Sequence, residues 1–580
     1  MRATTTTTTT TTSAPSQTSG QTPVVNVTAA HVIKCANPKS ADHLPSPFRL
    51  GPLDHFAHTA VPTDLVYVYE KPDFLEAQDF IPVARLRDAV STLLNYYPHL
   101  TGRLTVDPSN GVRSITKLGT GVSLFEAYCD QPLSTSPDHV RGRGEDIKMA
   151  NFPGAGEALI PPSFPTEAVL VTTTAHWDPS FDDETGIQRG PLLLIQRTQF
   201  KCGGVAIGYR ISHVVCAAEG CIHLYQDLCE IYRKLSRGEV GVLDLPPHIT
   251  PFGADRITTP NEELQEHALE SPPTGYLVSS QLGEALGVDA DKHMNSTVSS
   301  DTTVQSPPIS IADIYLHYSP SELANLKIKA TNPDDPDSWV STFEALLAHL
   351  WQQTHQARVR AASDQAHHRM PTGDPHGVPL PRDCIPTPSF WTNINFAHPS
   401  RLDLAGQNKG MGKSHYFPNA TLPVFVTVPE EDTIDLYDAP LWQVAKLVHE
   451  TIRHPETANT DYALAVANWM CGLSDKRLAK VDFNLFAKWC FINTDWSKFE
   501  LYGERTALDQ NRSGSHGSRP STYSISRLAI KTGVAVVDGV AAVAILGTAE
   551  VVGAATVVGT ATAGGGLTDV KRLVRGFYKT

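Results

Sequence analysis

A chain of 580 residues, 41% hydrophobic and 19% charged, has ordinary globular composition but exceeds what one hydrophobic core can fill, since single cores stop growing at roughly 250–300 residues. At least two cores are therefore expected. A formal net charge of -14 weighs against a nucleic-acid binder, which needs a basic footprint, and fits a protein that works on a small molecule.

The chain opens Met-Arg-Ala and then runs from Thr4 to Thr12 without a break. It lacks the apolar run of a secretory signal, so residues 1–24 are expected to be a disordered Thr-rich tail. Between Ala84 and Tyr97 the residues Leu86, Ala89, Val90, Leu93, Leu94 and Tyr97 recur at helical spacing, and Pro98 is expected to end that helix. Thr101 to Val106 reads as a strand, Asp107-Pro108-Ser109-Asn110-Gly111 as a turn, and a second strand follows. Pro191 to Phe200 and Val205 to Ser212 read as two strands joined by Gly203-Gly204, and Gly220 to Leu235 as an amphipathic helix. His213 falls where the second strand gives way to loop and helix.

From Thr250 to about Pro308 the chain turns polar and Ser/Thr/Pro-rich, as an interdomain crossover would. Ser341 to Arg360 is a strong helix, capped by Ser341 or Thr342, with Phe343, Leu346, Leu347, Leu350 and Trp351 on one face. Ala361 to Pro379 reads as an inserted loop and Leu441 to Ile452 as a further amphipathic helix. Gly539 to Leu567 is long and rich in Ala, Val, Gly and Thr. Glu550 interrupts it and its small residues contribute little to membrane insertion, so strands and turns are expected there rather than a membrane span.

Nine cysteines are scattered without a C-x-x-C pair, which fits reduced thiols in the cytoplasm better than a disulfide framework or a zinc site. No Gly-x-Ser-x-Gly elbow occurs. Gly406 to Ser414 is one residue too long for a phosphate loop and reads as a solvated loop. His367, His368 and His376 lie in a stretch expected to be an exposed loop without rigid geometry, so no metal is expected. Cys216 reads as a buried thiol rather than a nucleophile. The neutral imidazole of His213 can accept a proton near neutral pH. Taken alone, such a histidine is more often structural, and its company decides.

That company is ordered. Phe48-Arg49-Leu50-Gly51-Pro52-Leu53-Asp54-His55, the Leu93 to Leu104 segment with Tyr97-Pro98 and Thr101-Gly102-Arg103-Leu104, and the hairpin from Phe200 to His213 follow one another. Val340 to Trp351, Tyr416-Phe417-Pro418-Asn419-Ala420 and Asn493-Thr494-Asp495-Trp496-Ser497-Lys498-Phe499 come after. In this order, from about residue 45 to 503, they resemble the acyl-CoA-dependent acyltransferases of the BAHD family, in particular its fungal branch. Phe48 to His55 is similar to that family's opening strand. The resemblance implies an α/β fold of two similar chloramphenicol-acetyltransferase-like domains, with mixed sheets flanked by helices and a channel between them. The expected division is a tail at 1–24, an N-terminal domain at 25–250 carrying His213, a crossover linker at 251–310 and a C-terminal domain at 311–580.

The resemblance further implies that His213 is the general base and that Thr494 and Trp496 are candidates for the oxyanion or pocket. Acyl-CoA would be co-substrate, with no bound cofactor and no metal, and the acceptor a small hydroxylated molecule, a secondary metabolite or glycolipid. A monomer without nucleic-acid partner or membrane span is expected. Three positions depart from the family pattern. Ala217 replaces the aspartate of His-x-x-x-Asp, with Ala218 where glycine is usual. Asn395 stands where the family has an arginine that pairs with that aspartate. Leu501 to Ala507 occupies the place of the "DFGWG" motif. A paired loss of aspartate and arginine would leave the base in position, because removing both partners of a buried ion pair can be nearly neutral. The departures also fit a member that binds a ligand without turnover. A condensation-type amide-forming domain shares the fold but usually carries a second histidine where Ser212 stands here.

Overall fold

The computed structural model describes residues 3–4, 25–57, 62–69, 71, 80–130, 190–258, 260–279, 310–335, 338–369, 388–397, 415–427, 435–482, 490–496, 499, 504–508, 527–532, 542–549 and 554–563. The strands of the first half are β1 (Ala3–Thr4), β2 (Val25–Ile33), β3 (Phe48–Arg49), β4 (Pro62–Tyr69), β5 (Arg103–Val106), β6 (Arg113–Thr116), β7 (Val122–Cys129), β8 (Leu193–Phe200) and β9 (Val205–Ser212). Those of the second are β10 (Tyr276–Val278), β11 (Ser310–Tyr318), β12 (Ser389–Asn395), β13 (Thr421–Thr427), β14 (Ala479–Val481), β15 (Cys490–Asp495), β16 (Arg527–Thr532), β17 (Ala542–Ala549) and β18 (Ala554–Ala563). The helices are α1 (Val83–Leu93), α2 (Ala218–Ser236), α3 (Glu262–Glu270), α4 (Pro320–Ala330), α5 (Thr342–Arg369), α6 (Leu441–Ile452) and α7 (Thr460–Gly472).

Two mixed sheets carry the fold. One has the order β16-β4-β9-β8-β7-β2 and the other β1-β11-β18-β17-β15-β12-β13. The ladder is parallel between β7 and β8 in the first, and between β12, β15 and β17 in the second. Every residue of β9 is buried, as a central strand covered on both faces must be. Helices α1 and α2 bury Leu86, Ala89, Val90 and Leu93 from one and Ile222, Leu224, Tyr225 and Leu228 from the other in the same core as Ile195, Ile207 and Tyr209. A second core joins Leu346, Leu347, Leu350 and Trp351 of α5 to Val444, Ala445 and Val448 of α6, so the helical spacings of α1, α2, α5 and α6 are those of core faces.

Sheet membership does not follow chain order. Strand β16, late in the sequence, pairs antiparallel with β4 in the first sheet, while β1 pairs with β11 in the second. Of the Thr-rich tail, only Ala3–Thr4 falls within the described residues. The crossover segment after residue 250 carries α3 and β10, and β10 pairs with β14.

Three local expectations are corrected. Helix α1 stops at Leu93, not Tyr97. Pro98 opens a short 3-10 turn, Pro98–Thr101, with Tyr97 outside the helical region at φ -122 and ψ 49, since the residue before a proline is pushed out of the helical region. Helix α5 runs on to Arg369 and so includes His367 and His368; nothing breaks it, because Ala361, Ala362, Gln365 and Ala366 favour helix. The remainder of that expected loop, His376 included, lies outside the described residues, as does the Gly406 to Ser414 segment. The expected opening strand around Phe48 is only two residues long, and a 3-10 turn, Pro52–Phe56, follows at once. By contrast, Gly539 to Leu567 contributes β17 and β18 as expected, and among the described residues no helix is long and apolar enough to cross a membrane.

Candidate active site

The hairpin of β8 and β9 turns at Gly203, whose φ is +85, a conformation that glycine adopts without strain. It delivers His213 immediately after the last residue of β9. His213 remains partly exposed. Of its two ring nitrogens, Nδ1 is sealed from solvent without a hydrogen-bond partner. Burial lowers the pKa of the ring, and contact with its own backbone acts weakly the other way. Neutral imidazole is therefore the form favoured at neutral pH.

Helix α2 starts directly beyond. Ala217 is its N-cap and supplies no side-chain hydrogen bond. Two residues on, Glu219 Oε2 accepts from Asn395 Nδ2 at 2.5 Å, and Asn395 Oδ1 in turn accepts from the Ala397 amide at 2.8 Å. Positions 217 and 395 therefore hold no ion pair, and the Asn395 amide instead donates to the Glu219 carboxylate. Gly220 lies against the 415–420 segment so closely that a Cβ there would stand 2.3 Å from the Phe417 carbonyl oxygen.

On the other side of His213 is a buried polar hub. Asp54, 1% exposed, accepts from the Gly51 amide at 2.8 Å through Oδ2. Its Oδ1 accepts from both the backbone N–H and the Nδ2 of Asn419, each at 3.0 Å. Asn419 Nδ2 also donates to the carbonyls of His213 and Val214 at 3.0 Å. His55 Nε2 accepts from the Arg113 amide at 3.0 Å, so its Nδ1–H donates to Gly51 O at 2.8 Å. Burial holds the His55 imidazole down at about 3, with Arg113 acting in the same direction. Burial pushes the Asp54 carboxyl up to about 7, against the N–H donors of Gly51 and Asn419 and the charge of Arg113.

Thr494 lies on β15 of the second sheet, with Trp496 just beyond the strand. Trp496 is 2% exposed and belongs to the same hydrophobic core as Val214, Val215 and Cys216 of the His213 loop. Its Nε1–H donates to Thr494 Oγ1 at 3.1 Å. The indole donor is thereby engaged, while the Thr494 hydroxyl accepts and keeps its own proton. The Cys216 thiol is fully buried, and desolvation raises its pKa well above the ordinary range, which disfavours the nucleophilic thiolate. In the place of the "DFGWG" motif, the 3-10 turn Glu504–Thr506 packs on α2. The Thr506 carbonyl accepts from Tyr69 Oη at 2.9 Å, and that of Ala507 from Arg233.

Asp54, Glu219 and Asn419 were not singled out from sequence as site residues. Asp54 and Asn419 each sit in a segment that resembled the family, but the pairing of residues so distant in sequence has no periodic signal.

The description Transferase family matches residues 24–142 and 177–372 of the chain, and the chain belongs to this family, that of the BAHD-type acyltransferases. It is 27% identical over 278 residues to 3'-N-debenzoyl-2'-deoxytaxol N-benzoyltransferase of Taxus canadensis, covering 47% of this chain and 54% of that one. It is 34% identical over 185 residues to 13-hydroxylupanine O-tigloyltransferase of Lupinus albus, covering 32% and 33%. The match therefore spans about half of the first relative and a third of the second. Vinorine synthase superposes with a TM-score of 0.52 at 12% identity, over 95% of this chain and 96% of that one, which establishes the α/β fold of this acyltransferase class.

Proposed function

We propose that the chain is an O-acyltransferase that moves an acyl group from acyl-CoA to a hydroxyl of a small secondary metabolite or glycolipid, with His213 as general base. The observation that carries this reading is His213 itself, partly exposed at the end of a buried strand with a lowered pKa. With Nδ1 sealed, Nε2 is the nitrogen that meets the acceptor. It takes the hydroxyl proton as the oxygen attacks the thioester carbonyl carbon. A hydroxyl donor stabilises the oxyanion that forms, and Thr494 is the candidate, with Trp496 orienting it. Collapse breaks the carbon–sulfur bond, and the departing thiolate takes the proton from His213. The products are the ester and CoA, without a covalent enzyme intermediate and without a metal in any step. Family membership supports the acyl-transfer class, and the names of the relatives, an N-benzoyltransferase and an O-tigloyltransferase, span both nitrogen and oxygen acceptors.

A second reading, ligand binding without turnover, is favoured by Ala217 and by the replaced segment around Glu504. Single-turnover transfer from a panel of acyl-CoAs to hydroxylated acceptors separates the two. The wild-type chain is expected to release CoA and form ester at least about 10²-fold faster than His213→Ala. Equal, low rates in both proteins would favour the reading of ligand binding without turnover.

A further inference from the structure

We infer that Asn419, held by Asp54, is a positioning residue that fixes the main chain beneath the His213 imidazole. The inference rests on the reading of His213 as the base. The two N–H groups of Asn419 Nδ2 face three acceptors, Asp54 Oδ1 and the carbonyls of His213 and Val214, all at 3.0 Å, so that one N–H is shared between two of them. Its backbone N–H donates to the same Asp54 oxygen. Both side chains are buried, Asn419 at 4% exposure and Asp54 at 1%.

The arrangement is directional. Asp54 is itself held by the Gly51 amide through its second oxygen, in a turn pinned by Arg113, which donates to the carbonyls of Asp54 and Ala57. That rigid acceptor fixes the Asn419 amide plane, and the amide then fixes two successive carbonyls of the loop between β9 and α2. At Nδ1 the ring of His213 has no hydrogen-bond partner on another residue and meets only its own main chain. Its aim therefore depends on the main chain that Asn419 grips. Asn419 follows His415-Tyr416-Phe417, a segment that packs against the start of α2. The second half of the chain thereby sets the geometry of a base carried by the first. Displacing a reacting group by about 1 Å can cost about 10²-fold in rate.

The test compares wild type with Asn419→Ala, Asp54→Asn and His213→Ala in acyl transfer, with thermal melting as a folding control. Asn419→Ala leaves buried acceptors unpaired and can fail to fold. Asp54→Asn keeps the shape while turning one of two oxygens, each of which accepts an N–H from Gly51 or Asn419, into a donor, and is measured beside it. In the folded variants, kcat is expected to fall by about 10²-fold while KM for donor and acceptor stays within about threefold. The His213 ring resonance, assigned by its loss in His213→Ala, is expected to shift and broaden. A folded Asn419→Ala or Asp54→Asn protein with wild-type kcat per folded molecule and an unmoved His213 resonance would overturn the inference, even if its melting temperature fell. Full transfer by His213→Ala would instead overturn the proposed function on which it rests.

Discussion

The place of His213 between a strand and a helix was legible because its signal is local: a Gly-Gly hairpin, a strand that ends, and a helix that begins. Its supports were not, because hydrogen bonds between Asp54 and Asn419 leave no trace in spacing or composition. Thr494 and Trp496 entered as equals from the family resemblance, and the hydrogen bond between them divides their parts. Trp496 donates its only polar proton to Thr494 Oγ1, so only the threonine retains a proton to offer an oxyanion. Thr494→Val is therefore expected to slow single-turnover transfer by about 10²–10³-fold, the usual effect of losing one oxyanion donor. Trp496→Phe keeps the buried ring and is expected to cost less than about tenfold. Rapid-quench kinetics on both variants check this, and a larger loss in Trp496→Phe than in Thr494→Val would reverse the assignment.

Helices and strands with strong periodicity could be read from the chain, as α6 shows with its bounds at Leu441 and Ile452. Boundaries set by one residue's conformation, such as the early end of α1 before Pro98, were less legible. The start of α2 shows what sequence alone hides. Its cap residue is Ala217, which makes no side-chain bond, and the helix is docked instead through Glu219 on Asn395 and through Gly220 on Phe417. Glycine within a helix normally costs about 1 kcal/mol relative to alanine, so Gly220→Ala should stabilise an undocked helix. Here the added Cβ would meet the Phe417 carbonyl oxygen at 2.3 Å and the Cys216 Cβ at 2.9 Å. The expected outcome of urea unfolding is a loss of about 1–3 kcal/mol, as for overpacking elsewhere. A gain in stability would show that the helix start does not rest on the 415–420 segment.

The architecture was legible from the order of several weak motifs, none decisive alone, since order along the chain constrains topology more than any one match. Which sheet a late strand joins was not legible. The pairing of β16 with β4 and the packing of Thr506 against Tyr69 tie the last part of the chain to the first sheet, and neither pairing follows from local composition. The His213 loop lies where the two halves meet, gripped by Asn419 from the second half and carried by β9 of the first. Burial there lowers the pKa of His213, so its neutral form persists to lower pH than that of a free histidine, and if it is the base as proposed, activity is lost only as pH falls through the depressed value. The direct measurement is the pH profile of single-turnover acyl transfer. The account predicts a rate that is flat across neutral pH, with an acid limb centred below the ordinary histidine value of about 6.5, and no such limb in the residual rate of His213→Ala. An acid limb centred above about 7, or one that survives in His213→Ala, would contradict it.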